Sequence, residues 1–169
     1  MLDEMDASTP EVLVILNAAI ANGYFDFPTG RVEAHENFRL IAAGNTFGTG
    51  ADIEYTGRYQ LDAASLDRFA VIQIDYSKAV EESIAGGNKN LLEFIWSFRK
   101  AVEKAQIKFI VSYRAITYLH KLEDVLEAGE ALKICLLRGL DSDDMKIICK
   151  NMHLSDANAY GAAFKRMAA

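Results

Sequence analysis

At Tyr76 the spacing of apolar residues changes character, and that change limits the folds open to this chain. Upstream of it, short apolar runs of strand length are interleaved with one helical stretch and several turn-rich segments. Downstream, apolar residues recur at three- and four-residue spacing to the C-terminus. A mixed α/β region over residues 1–76 followed by an all-helical region over residues 77–169 is expected. A length of 169 residues suits one domain, or a small core with a helical appendage.

Met1-Leu2 reads as the last part of a buried strand running straight into the acids Asp3 and Glu4. Ser8, Pro10 and Glu11 give a helix start, with Ser8 as cap and Glu11 reaching back to it. Val12, Leu13, Leu16, Ala19 and Ile20 then fall at helical spacing, and Gly23 supplies the stop. Residues 24–38 read as a hairpin turning at Pro28-Thr29-Gly30. Residues 38–43 form a short apolar strand ending at Gly44-Asn45-Thr46. A surface loop rich in glycine (Gly48, Gly50, Gly57) follows, then a short helix over 62–69 and another buried strand over 70–74. Past Tyr76, Ser77 opens a helix and Gly86-Gly87 break it. Leu91, Leu92, Phe94, Ile95, Phe98 and Val102 make a wide apolar stripe on the next. Ser112 caps a helix running to Leu122, and further helices are expected over 130–137, 141–151 and 155–168.

Composition excludes several functions. A net charge of −6 leaves no diffuse attraction for a phosphate backbone. Cys135 and Cys149 lie far apart with no metal-binding spacing, which reads as two buried reduced thiols. No apolar run approaches the roughly 20 residues needed to span a bilayer. The opening MLDEMDAS is acidic and has no apolar h-region, so it is not a signal peptide. A cytoplasmic location is expected.

Four places carry residues suited to chemistry. Asp3 and Glu4 stand at a strand end, where α/β sheets present ligand groups. An aspartate there can hold Mg²⁺, and a glutamate beside it can polarise an attacking water. Solvated surface carboxylates are the plainer alternative. Asn45 follows the next apolar run, and its amide can both donate and accept, which suits it to orienting that water; the alternative is a turn asparagine. Arg68, in Leu66-Asp67-Arg68-Phe69, can reach a neighbouring subunit's phosphate, or it can pair with Asp67 or Asp62. Arg114, in Ser112-Tyr113-Arg114, can touch phosphate or serve as an ordinary helix-surface arginine.

Taken in order, Leu2-Asp3-Glu4-Met5-Asp6-Ala7-Ser8, residues 38–45, residues 61–69 and Ser112-Tyr113-Arg114 resemble the second half of AAA+ ATPases. The resemblance is to the dynein-related and MoxR-like branch, including the cobalt-chelatase ATPase subunit type, and the last thirty or so residues match little. It implies a partial P-loop NTPase parallel-sheet core followed by a helical lid. By position, Asp3 and Glu4 resemble the Walker B pair, with Asp3 at the metal and Glu4 as catalytic group. Asn45 resembles sensor 1, Arg68 the arginine finger and Arg114 a nucleotide-binding sensor 2. Arg58 is a second candidate for an inter-subunit arginine. The hairpin resembles the one this branch inserts after Walker B. Implied cofactors are Mg²⁺ and ATP, and the implied assembly is a homo-oligomeric ring, most often a hexamer, acting on a protein partner rather than nucleic acid or membrane.

One departure is large. The motif G-x-x-x-x-G-K-[ST] is absent: Gly86-Gly87-Asn88-Lys89 has the wrong spacing, and the glycine-rich loop after Asn45 carries no lysine. In the family this loop precedes Walker B, so Met1 is expected to be an internal start, a truncated frame or a cloning boundary. The chain alone is then expected to bind ATP weakly or not at all. The resemblance also places the missing strand between residues 38–43 and 71–74, so exposed strand edges or a rearranged sheet are expected. The rival reading is a non-enzymatic helical interaction module derived from an ATPase; a third is a GTP-using, restriction-type motor.

Overall fold

A computed structural model describes residues 1–51, 55–155 and 157–169. The glycine-rich loop's residues 52–54, and position 156 of the helix expected over 155–168, lie outside the described residues. The chain divides into two compact units, residues 1–73 and 74–169.

In the first unit a 3₁₀ turn (Met5–Ala7) leads into α1 (Pro10–Asn22), the hairpin strands β1 (Tyr24–Phe27) and β2 (Gly30–Glu33), and the short helix α2 (Ala63–Leu66). α1 starts one residue later than Ser8 capping would have it. Thr9 is the N-cap, it makes no side-chain cap bond, and Pro10 occupies the first turn where its missing N–H costs nothing. The hairpin is antiparallel and pairs Tyr24 with Glu33 through Phe27 with Gly30. Arg31 lies over the Tyr24 ring and forms an ion pair with Asp26 on the facing strand. That pairing holds the Asp26 carboxyl below its ordinary range.

The expected parallel-sheet core is not what forms. Among the described residues the only sheet is the two-stranded hairpin, and the sole parallel contact is an isolated bridge between Leu2 and Ala42. Residues 38–43 and 70–74, expected as buried strands, form no ladder. Ile41, Val71, Ile72 and Ile74 are largely exposed. The physical reason is that a parallel sheet needs a ladder of several paired residues and cover on both faces. Here Leu2 meets its counterpart over a single residue, which is too short to seed a sheet. What remains is a small core of Met5, Leu13 and Leu61, with Leu16, Ala42, Leu66 and Phe69 packed against it. α1 is mostly apolar, yet Leu13 is its one buried residue among those described.

The second unit is helical: α3 (Lys78–Ile84), α4 (Lys89–Ala105), α5 (Tyr113–Leu122), α6 (Ala128–Cys135), α7 (Ser142–Asn151) and α8 (Ala159–Ala168). Three of these starts carry side-chain caps. Asn88 accepts from the Leu91 amide, Asp141 from the Asp143 and Asp144 amides, and Asn158 from the Gly161 amide. Between α3 and α4 the chain turns at Gly86, whose φ is 57°. A Cβ there would stand 2.7 Å from the His120 ring, so position and conformation both demand glycine. The stripe on α4 is the core: Leu91, Phe94, Ile95 and Phe98 are fully enclosed, and Phe94, Phe98 and Phe164 meet edge-on or tilted at 5.3–6.1 Å between centroids. Both thiols are free and half-buried, and burial pushes the Cys135 thiol up. Among the described residues, no helix is long and apolar enough to cross a membrane.

Removing one of these rings should cost the full transfer and cavity terms. Phe94→Ala is expected to lower unfolding free energy by about 3–5 kcal/mol. Denaturant titration followed by the emission of Trp96, the chain's single tryptophan, measures it. A loss below about 1 kcal/mol would show that α4 does not build the core.

Candidate functional site

The sequence places its acids at the start of the chain and its asparagine some forty positions later; backbone bonds bring the two segments together. The Leu2 amide donates to Ile41 O, and the Ala43 amide donates back to Leu2 O, each at 2.8 Å. One step on, the Met5 amide donates to Ala43 O at 2.8 Å. Asp3 and Glu4 therefore leave this bridge at the same end as Gly44 and Asn45.

Asp6 fastens the arrangement. Its carboxylate is 2% exposed, and Oδ2 accepts from the Asn45 amide (3.1 Å), the Thr46 amide (2.9 Å) and the Thr46 hydroxyl (2.9 Å). Its backbone carbonyl accepts from the Tyr59 amide at 2.9 Å. On the other oxygen, Arg58 Nη1 lies 3.4 Å from Oδ1. A buried carboxylate is stable only when such donors replace water, and Asp6 has four of them. The approach is close: a Cβ on Gly44 would stand 3.2 Å from Asp6 Cγ.

Around this anchor the candidate groups are distributed unevenly. Asp3 and Glu4 are exposed, and Asp3 Oδ1 accepts from the Glu4 amide at 3.0 Å. Glu4 has φ 52° and ψ 43°, a left-handed conformation that costs a non-glycine residue roughly 1–2 kcal/mol. Its carboxylate lies 3.5 Å from Arg58 Nη1. Asn45 is exposed, and its backbone is fixed by Asp6. Arg58, read from sequence as an arginine for a neighbouring subunit, has a side chain only 11% exposed and is engaged within its own chain.

Arg68 is not drawn into this group. It projects from the end of α2, where its guanidinium donates to Ala64 O. α2 itself is held by Asp62, whose carboxylate accepts from the Ser65 amide and hydroxyl, and by Asn17 of α1, which donates to the Ser65 hydroxyl. The Ser65 bonds hold the Asp62 carboxyl below its usual range. Arg114 is exposed on the first turn of α5, in the second unit.

Asp6 is the group that sequence reasoning passed over. Its signal was present: an acid two positions after Glu4, in a chain whose Gly44-Asn45-Thr46 run is dense in donors. Only the fold shows that the two meet.

Three outcomes follow from this geometry. Asp6→Ala strands two amides and a hydroxyl, and is expected to destabilise the first unit by roughly 2–4 kcal/mol. Hydrogen exchange should show Asn45 and Thr46 losing protection first, and unchanged protection there would deny Asp6 its anchoring role. Glu4→Gly relieves the left-handed strain and should raise stability by about 1 kcal/mol in denaturant titration; a loss of stability would mean that the conformation carries no strain. Because the folded-state carboxyl of Asp62 titrates below its unfolded value, its contribution is complete above the ordinary carboxylate range and disappears as pH falls through the depressed value. Protection of the Ser65 amide should decline over that acid window, and Asp62→Asn should flatten the decline.

No protein-family model, curated protein or solved structure matches this chain.

Proposed function

We propose that this chain supplies the hydrolytic carboxylates of an AAA+-type motor that uses Mg-ATP to remodel a partner, and the net charge of −6 favours a protein as that partner. The observation that supports this reading best is the juncture of Asp3-Glu4 with Asn45 at one end of the Leu2–Ala42 bridge, locked by Asp6. In this reading Glu4 polarises the attacking water and Asn45 helps to orient it. In the same reading Arg68, exposed just beyond the end of α2, acts across a subunit edge, and Arg114 senses nucleotide.

The residues fit a magnesium ion only in part. Mg²⁺ favours six oxygens, typically one or two carboxylates with phosphates and water completing the shell. Among the described residues one oxygen of Asp3 meets no donor, while the Asp6 carboxylate is filled by protein donors. No group of three or more potential ligands is gathered among the described residues. Asp3 would therefore hold the ion, and the ion would neutralise phosphate charge. Nothing in the sequence supplies the amides and lysine that cradle phosphates, so a phosphate-binding loop must come from another polypeptide segment.

A second reading, a non-enzymatic helical interaction module, is favoured by one observation: residues 74–169 bury a continuous core of their own around Phe94, Phe98 and Phe164.

Nucleotide assays separate the two. The chain alone should bind ATP weakly or not at all. Joined to a segment bearing the phosphate-binding loop, it should hydrolyse ATP with Mg²⁺ dependence. Glu4→Gln should then reduce turnover by at least about 100-fold while ATP stays bound. Arg68→Ala should lose turnover alone and recover it in mixed assemblies with intact subunits. Turnover unaffected by Glu4→Gln would sink the ATPase reading and leave the helical module.

A further inference from the structure

One guanidinium nitrogen is shared by two carboxylates in very different surroundings. Arg58 Nη1 lies 3.4 Å from Asp6 Oδ1 and 3.5 Å from Glu4 Oε2. The distances are nearly equal, so the medium decides which contact is stronger. Asp6 is 2% exposed and Glu4 64% exposed. Attraction scales inversely with effective dielectric, and passing from about 80 in water to about 20 at a protein site strengthens it roughly fourfold. Arg58 is therefore bound firmly to Asp6 and loosely to Glu4.

We propose that Arg58 is a positioning residue: it holds Glu4 in a resting orientation and releases it without disturbing the Asp6 anchor. The role given to Glu4 rests on the proposed function, whereas the contact itself does not. The geometry favours a one-sided release for a second reason. The Asn45 and Thr46 donors converge on Asp6 Oδ2, while Arg58 meets Oδ1, so losing the arginine leaves the other bonds in place. The Glu4 contact is the end of the bridge that water already weakens, and it is the end that ionic strength screens first. The left-handed backbone of Glu4 adds to this: its side chain leaves the bridge from a strained residue with no cap bond of its own. Arg58 is then a restraint within its own chain rather than a finger for a neighbour.

The test uses the full chain with ¹³C-labelled glutamate carboxylates, and Glu4→Gln identifies the Glu4 resonance. In Arg58→Gln the Glu4 signal is expected to move to the position of the fully solvated glutamates. The Asn45 and Thr46 amides should keep their exchange protection within about twofold, because their acceptor is untouched. If Arg58→Gln unfolds the first unit, raising salt on the unmodified chain reads the same contact. The Glu4 signal should then shift at ionic strengths that leave the two amides unchanged. No nucleotide is present in either measurement, so a failed hydrolysis assay and a failed restraint are told apart. A Glu4 signal indifferent to both treatments, or one that changes only together with the Asn45 and Thr46 amides, overturns the proposal.

Discussion

A carboxylate buried without water has to find its donors in the protein, and in the first unit everything near the candidate site follows from how Asp6 meets that demand. Its donors come from residues 39, 40 and 52 positions away. Satisfying one side chain thus draws together the opening turn, the segment after Ala43 and the segment before Tyr59. The apolar contribution of this unit is small, with Met5, Leu13 and Leu61 its buried hydrophobic residues among those described. Polar satisfaction therefore carries an unusual share of its specificity.

That anchor leaves the neighbouring acids free for other work. Asp3 and Glu4 are three and two positions before it, and both are exposed. The left-handed backbone of Glu4 is a local cost that the rest of the unit sustains. Exposed carboxylates next to a buried one also differ in what holds them. The buried group is fixed by hydrogen bonds, and the exposed one by a screened charge contact that a competing ion can replace.

The helical unit solves its own polar problem in a similar way. Glu81 is 1% exposed on α3; Trp96 of α4 donates its indole N–H to Oε2 at 2.5 Å, and Arg99 Nη2 stands 2.8 Å from Oε1. The arginine contact is an ion pair outside hydrogen-bond geometry, since Oε1 and Arg99 Nε lack hydrogen-bond partners. Arg99 also donates to Val111 O and stacks on Tyr76, whose ring meets Tyr113 edge-on. A second cluster joins Asn88, Glu123 and His120 across the α3–α4 turn and the end of α5. Such networks select one packing of the helices among several that the apolar stripes alone would permit.

The sequence by itself determined that these helices and the hairpin form, while several starts differ from the expected ones: α6 begins at Ala128 rather than 130, and α8 at Ala159 rather than 155. Those signals are local: the apolar period of α4, and Pro28-Thr29 as the two residues between paired Phe27 and Gly30. It also determined the choice of Asp3, Glu4, Asn45, Arg68 and Arg114 as candidate groups, because their chemistry is visible in their identity. Tertiary structure alone decided whether the apolar runs at 38–43 and 70–74 become a sheet, and they do not. A strand exists only through partners distant in the chain, and no residue in a run states whether those partners are there. The same holds for the site: that Asp6 is buried, that Arg58 turns inward and that Arg68 stays out are facts of long-range contact. Helices close their hydrogen bonds within four residues and so can be read along the chain; ladders and buried charges close theirs across it.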